Sequence, residues 1–339
     1  MNDSPTNDQP PKKILGISAD RLGVILCSLS ALLYCSANIC IKHLADTSLN
    51  KALVLTCKES FAALLLLPVI VFMLIGRRRI FISWRDLLIL TGVAFLVQVV
   101  GNQSQIFALG TIGLTITIPI IFATQLTSSA GMGRIFLGER ISMRTAVAMV
   151  LLIGSIVLIS FFSERPKVLT GDQITLNVLM LGIIATIICG ITYASLTLTI
   201  RYTSTGGNSL FGIMFVTTAM GTVTLGPIGL WQTHFLSTSW PEIGAALGSV
   251  PAADYGWILA AGAFNFFAFI CLTTGLSLTH VVRANLLNAS QVAVTAMAGI
   301  LFFNEKVTPF LLIGIGLTIV GILLIGGDRS EQNVAPGEI

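Results

Sequence analysis

The sequence predicts an all-α integral membrane protein: ten transmembrane helices arranged as two inverted five-helix repeats. Three observations carry that prediction: a composition too apolar for water, ten apolar runs of bilayer length, and a stretch that occurs twice. Hydrophobic residues make up 54% of the 339 and charged residues 10%, with a mean hydropathy of +0.90. A soluble domain carries roughly 25% charged residues. Residues 119–159 and 285–325 align at an offset of 166, which places Gln125 on Gln291, Gly133 on Gly299 and Glu139 on Glu305. Nearer the start of each half, Tyr34, Ser36, Ile41 and Lys42 fall on Tyr193, Ser195, Ile200 and Arg201 at an offset of 159. Offsets so close indicate one duplication across nearly the whole chain.

A helix rises about 1.5 Å per residue, so about 30 Å of hydrocarbon takes roughly 20 residues. Apolar runs of that length lie near 22–44, 52–75, 87–108, 112–136, 143–162, 175–200, 208–231, 254–277, 281–303 and 308–326. None alternates with period two, which argues against a β-barrel. Residues 1–21 are polar, and no small-residue cleavage site follows the first run, so that run reads as an anchored helix and not a signal peptide. The expected organisation is a polar cytoplasmic tail (1–21), a first repeat (22–162), a connecting loop (163–174), a second repeat (175–326) and a polar C-terminal tail (327–339).

With the N-terminus inside, 13 of the 19 Lys and Arg residues fall on the inner side. This bias sets the expected orientation: multi-pass in the cell (inner) membrane, with both termini cytoplasmic. Five spans per copy is an odd number, so the second copy must enter the membrane upside down. The net charge of +4 reflects these inner-loop cations and calls for no nucleic acid. All six cysteines sit within apolar runs, in no zinc spacing, so neither a disulfide framework nor a metal site is expected.

The fourth run of each half ends in G-x-x-F-[LF]-x-E-[RK], as GRIFLGER (133–140) and GILFFNEK (299–306). Two five-helix units, each closing its fourth helix on this motif, resemble the EamA-type transporters of the drug/metabolite transporter superfamily. The resemblance covers about 22–162 and 175–326. The second copy departs from it at Asn304 and Lys306, where Gly and Arg usually stand. It implies a carrier whose central cavity is bounded by the first, third and fourth helices of each half, with the fifth helices peripheral.

A carrier needs polar groups at mid-membrane to replace the water that a solute loses. Gln98, Asn102 and Gln105 follow i, i+4, i+7 spacing and share one face of the third run. They are candidate cavity lining, weighed against interhelical hydrogen bonding. The same positions in the second half hold Phe264, Ala268 and Cys271, leaving Asn265 as a polar remnant. The fourth helices contribute Gln125 from the first half and Asn285, Asn288 and Gln291 from the second. Tyr34 and Tyr193, equivalent residues of the two first helices, can stack on a solute or pack helices. Asn38 is expected to approach Lys58. Lys58 and Glu59 lie inside the second run and are the candidates for ion coupling. As sequence neighbours they point about 100° apart, which argues against their pairing with each other. Arg283 reads as an interfacial anchor or a group that attracts an anion.

An enzyme would require a nucleophile–base pair, metal ligands or paired carboxylates. The three histidines lie near run ends or outside them, and no H-E-x-x-H or G-x-x-x-x-G-K-[ST] occurs. No catalytic residue, metal or cofactor is expected. The reading is a secondary transporter that moves a small amphipathic metabolite, an amino acid or related compound, by alternating access through a cavity between the repeats. Export is a role the resemblance implies. The alternative is a lipid or lipid-head-group flippase of the same fold. The expected partners are the solute and the lipid bilayer, with a homodimer left open.

Overall fold

The computed structural model describes residues 13–14, 17–45, 51–77, 80–81, 83–112, 114–138, 141–162, 176–236, 252–294, 297 and 309–326. The motif ends Glu139–Arg140 and Glu305–Lys306, the loop 163–174, the tail 327–339 and residues 1–12 of the N-terminal tail lie outside them.

The described helices are α1 (Ala19–Ala45), α2 (Lys51–Ile75), α3 (Trp84–Leu96), α4 (Asn102–Ile112), α5 (Leu114–Phe136), α6 (Met143–Phe162), α7 (Leu176–Thr205), α8 (Leu210–Leu236), α9 (Ala252–Leu278), α10 (Val281–Ala289) and α11 (Pro309–Gly326). Ahead of them, β1 (Lys13–Ile14) and β2 (Ile17–Ser18) form a small antiparallel ribbon. Helix α1 starts at Ala19, inside the segment expected to be a polar tail, with Asp20 in its first turn. An acidic residue is stabilised there by the unpaired N–H groups of the helix start.

Among the described residues, six helical stretches are long and apolar enough to cross a bilayer: Ala19–Ile41, Val54–Ile75, Trp84–Gln105, Met180–Thr205, Leu210–Gly229 and Asp254–Leu278. Met143–Leu158 and Leu312–Gly321 are shorter apolar helices. The outside of the bundle is greasy. On α2, Leu64, Leu67, Val71, Phe72, Leu74 and Ile75 are all exposed. In water such a stripe would be a liability; in hydrocarbon it is the contact surface.

Local chemistry fixes the helix ends. Ser83 caps α3 by accepting the Arg85 N–H at 3.1 Å. Helix α7 stops at Thr205, and Gly207, at φ 84°, turns the chain with the left-handed geometry that glycine tolerates.

The third span is not a regular helix. Between α3 and α4, Val97–Gly101 forms a π-helical turn, and the Asn102 N–H reaches back to the Val97 carbonyl. The tight approach of Gly101 to α7, where a Cβ would collide with the Thr192 hydroxyl, coincides with this wider turn. The run expected to form the ninth span is also irregular. Helix α10 ends at Ala289, where the Ser290 N–H and hydroxyl both donate to the Leu287 carbonyl, and helix resumes at 291–294.

Packing joins the halves. Helix α1 lies against α9 and α10, while α7 lies against α3, α4 and α5. Helices α2 and α8 pack together, as do α6 and α11, and α5 meets α10. Glycine allows the closest crossing: on α9, a Cβ at Gly275 would strike the Cys27 sulfur and stand 3.2 Å from the Gly23 carbonyl of α1. The core of Cys27, Leu66, Phe122, Leu126, Phe269, Leu276 and Leu287 draws on both halves.

Gly275→Val is expected to lower stability by about 1–3 kcal/mol, because backbone faces it and cannot yield. Thermal unfolding in detergent measures this, and an unchanged midpoint would mean that α1 and α9 are less closely packed than described.

Candidate functional site

The amide stripe of the third span is assembled as expected, but it is wired to the other half of the molecule. Asn102 donates from Nδ2 to Gln98 Oε1. From α7, the Tyr193 hydroxyl lies 2.6 Å from Asn102 Oδ1 and 2.7 Å from Gln105 Oε1. A tyrosine has one proton and so cannot donate to both oxygens. Asn102 is committed, because its amide nitrogen serves Gln98. Gln105 is therefore the group that turns its NH₂ toward the tyrosine. The result is a directed chain: Gln105 to Tyr193 to Asn102 to Gln98. Gln98 is buried, whereas Asn102 and Gln105 are half-buried.

The fourth spans supply two further clusters. Gln125 Nε2 donates to Asn285 Oδ1 at 3.4 Å, and Asn285 Nδ2 donates to Thr197 Oγ1 at 3.0 Å, joining α5, α10 and α7. Gln291 uses its own NH₂ on the Asn288 carbonyl at 3.1 Å and accepts from Asn38 Nδ2 at 3.3 Å. Asn38 thus meets Gln291. Asn288, at the helix interruption, is 7% exposed, and its Oδ1 has no hydrogen-bond partner among the described residues. Asn265 is buried on α9. Tyr34 packs at the edge of the apolar core.

Asn38 is exposed, and its direction is informative. Ile25, Leu29 and Leu32 form the exposed apolar stripe of α1. Asn38 follows Leu29 by nine residues, about 900° of helical rotation, which is half a turn away. Its exposure is therefore on the face opposite the apolar stripe.

Lys58 and Glu59 correct the sequence reading. They do pair: Lys58 Nζ lies 3.2 Å from Glu59 Oε1, because the flexible lysine stem bends back along α2. Glu59 is 8% exposed. Across from it stands Gly221 of α8, where a Cβ would come within 2.8 Å of both Glu59 Cγ and Gln98 Nε2. Tyr34 and Tyr193 lie within electrostatic range of the Glu59 carboxylate.

One cluster was missed. Arg283, read as an interfacial anchor, is 2% exposed. Its Nη1 is 2.9 Å from both carboxylate oxygens of Asp20, which also accepts from Thr279 Oγ1 at 2.9 Å. The contact ties the first turn of α1 to the α9–α10 junction. The only sequence signal was an acidic residue just ahead of an apolar run. Its partner is 263 positions away.

Residues 180–327 match the model of the EamA-like transporter family. No curated protein matches the chain. Among solved structures 28 chains match. One, described only as "Crystal structure of protein", has a TM-score of 0.64 at 12% identity, covering 89% of this chain and 95% of its own. At that identity it shows the fold alone. The resemblance drawn from the duplicated motif is borne out by this match over the second half of the chain, and the apolar helices point to a multi-pass membrane protein.

Asp20→Ala should destabilise the fold by about 3 kcal/mol, since it removes the carboxylate that holds a buried guanidinium. Asp20→Ala combined with Arg283→Met should recover most of that loss. Unfolding in detergent compares the two, and equal losses would show that packing, not the guanidinium without its carboxylate, sets the cost.

Proposed function

We propose that the protein is a secondary transporter that carries a small amphipathic metabolite by alternating access through a cavity between two inverted repeats. The observation that carries the reading is the directed amide–tyrosine chain, which runs between the halves and is only half-buried along Asn102 and Gln105. Helix glue alone does not need that exposure. Asn288 adds a buried acceptor, and an unpartnered acceptor in hydrocarbon is costly unless something donates to it. Both polar spans are also irregular where these amides sit. Broken helices at mid-membrane are where carriers place their solutes.

The inverted-repeat part of the reading has its own support. If the halves exchange by a two-fold rotation, α1 corresponds to α7, α2 to α8, the third span to α9, α5 to α10 and α6 to α11. The main packing pairs exchange accordingly: α1 against α9 and α10 becomes α7 against the third span and α5, and α2 against α9 becomes α8 against the third span. Residues near such an axis touch their own counterparts. Ser60 donates to Thr222 Oγ1 at 3.3 Å across 162 positions, and Ser155 meets the Thr318 hydroxyl at 2.6 Å across 163. Those separations fall between the two repeat offsets read from the sequence.

Alternating access then needs an end that closes. Asp20–Arg283 closes the end where α1 begins, while exposed Asn38, about 28 Å further along α1, marks the other. In this reading both termini are cytoplasmic and the closed end is the inner one.

Two tests follow. Gln105→Leu and Asn102→Leu should each cut solute flux in proteoliposomes by about tenfold or more, while costing no more than about 1 kcal/mol of stability. Full flux in both would reduce the chain to helix glue. Reporter fusions after Gly327 should report a cytoplasmic C-terminus, with a tag near Ser239 accessible from outside; an external C-terminus would end the inverted-repeat model.

A further inference from the structure

We propose that Lys58 and Glu59 form a binding site for a zwitterionic solute on the axis that relates the two halves. The inference rests on the carrier reading and specifies the charge pattern of its solute. Glu59 and Gly221 are separated by the same 162 positions as the hydrogen-bonded pair Ser60 and Thr222, each one residue earlier. Glu59 therefore faces its own counterpart across α2 and α8. That counterpart is glycine, and any side chain there would displace both the Glu59 stem and the Gln98 amide. One half supplies a carboxylate and the other supplies the room for it. A second carboxylate at this point would meet the first in low dielectric, so the axis can hold only one.

A group on the axis has a further property. When two inverted halves exchange conformations, positions away from the axis swap surroundings, whereas an axial group stays central to both. It can be reached from either end in turn, as a solute site must be.

The pairing at the site defines the ligand. Side chains at i and i+1 on a helix do not face each other, so the 3.2 Å contact requires Lys58 to fold back on its stem. Such a pair is easily exchanged. A solute with one cationic and one anionic group can take its place, with the cation on the Glu59 carboxylate and the anion on the Lys58 ammonium. The site is neutral before and after, so no uncompensated charge is left in the membrane interior. A solute bearing a single charge would strand either Lys58 or Glu59. Among the described residues, Tyr34 on α1 and Tyr193 on α7 are titratable groups within electrostatic reach of Glu59. From α8 it meets Gly221, beside the uncharged Thr222. Tyr193 links the site to the amide chain.

The test uses full-length protein in proteoliposomes and measures flux of the standard neutral amino acids, their methyl esters (cation only), their N-acetyl derivatives (anion only), and a control set of nucleosides and sugars. At least one amino acid should be preferred over its ester and N-acetyl forms by about tenfold or more. The charge-free double variant Lys58→Met/Glu59→Gln, which strands no ion, should lose that preference while unfolding near the wild-type midpoint. Flux of any solute without the zwitterion preference, or an undiminished preference in the double variant, would overturn the site and leave the carrier standing. If no solute in any set moves, the carrier reading falls with it.

Discussion

Polar groups inside hydrocarbon must find partners, and that constraint organises this molecule. Water is absent at mid-membrane, so an amide or a charge left alone there is expensive. The chain places many amides in its spans and satisfies most of them by reaching across. Tyr193 of α7 donates to Asn102 and accepts from Gln105 of α4. Gln125 of α5 serves Asn285 of α10, and Asn38 of α1 serves Gln291. In each case the donor and acceptor belong to different halves. The hydrogen bonds that make the amides tolerable are also the ones that hold the halves in register.

Charges obey the same rule more strictly. Arg283 is almost wholly buried and is held by both oxygens of Asp20. Glu59 is neutralised by its own neighbour. The two pairs differ in exchangeability. Asp20–Arg283 holds one guanidinium nitrogen against both carboxylate oxygens, joins distant segments and is reinforced by Thr279, which suits a closure. Lys58–Glu59 is a contact between adjacent residues, which suits a site that must release and rebind. Geometry, more than the number of charges, separates a latch from a binding site.

Much of this was legible in the sequence because it is periodic. Among the described residues, the six stretches long and apolar enough to span fall on six of the expected runs, and α5, α6, α10 and α11 lie within the other four. The shared face of Gln98 and Asn102 follows from helical spacing, and Tyr193 was marked by its counterpart Tyr34. What was not legible is local irregularity and long-range pairing. A π-turn adds no residue type that marks it, and its position depends on the approach of Gly101 to α7. The break at Ser290 depends on a hydroxyl that chooses its own backbone over the helix. Asp20 looked like the end of a tail, because nothing in its neighbourhood names Arg283. The pairing of Lys58 with Glu59 was rejected on helix geometry, which describes Cβ directions and not the reach of a four-carbon stem.

The central claim is that the space beside Asn38 is an internal, solute-accessible cavity, open at the end away from Asp20–Arg283. It is tested most directly by placing a single cysteine at position 38 in a chain whose six native cysteines are replaced. A membrane-impermeant maleimide is then added to one side of oriented vesicles at a time. The cavity model predicts labelling only from the side opposite the N-terminus, and labelling from both sides once Asp20→Ala opens the latch. Labelling solely by a lipid-soluble maleimide, with the impermeant reagent excluded from both sides, would contradict it, because Asn38 would then face the bilayer.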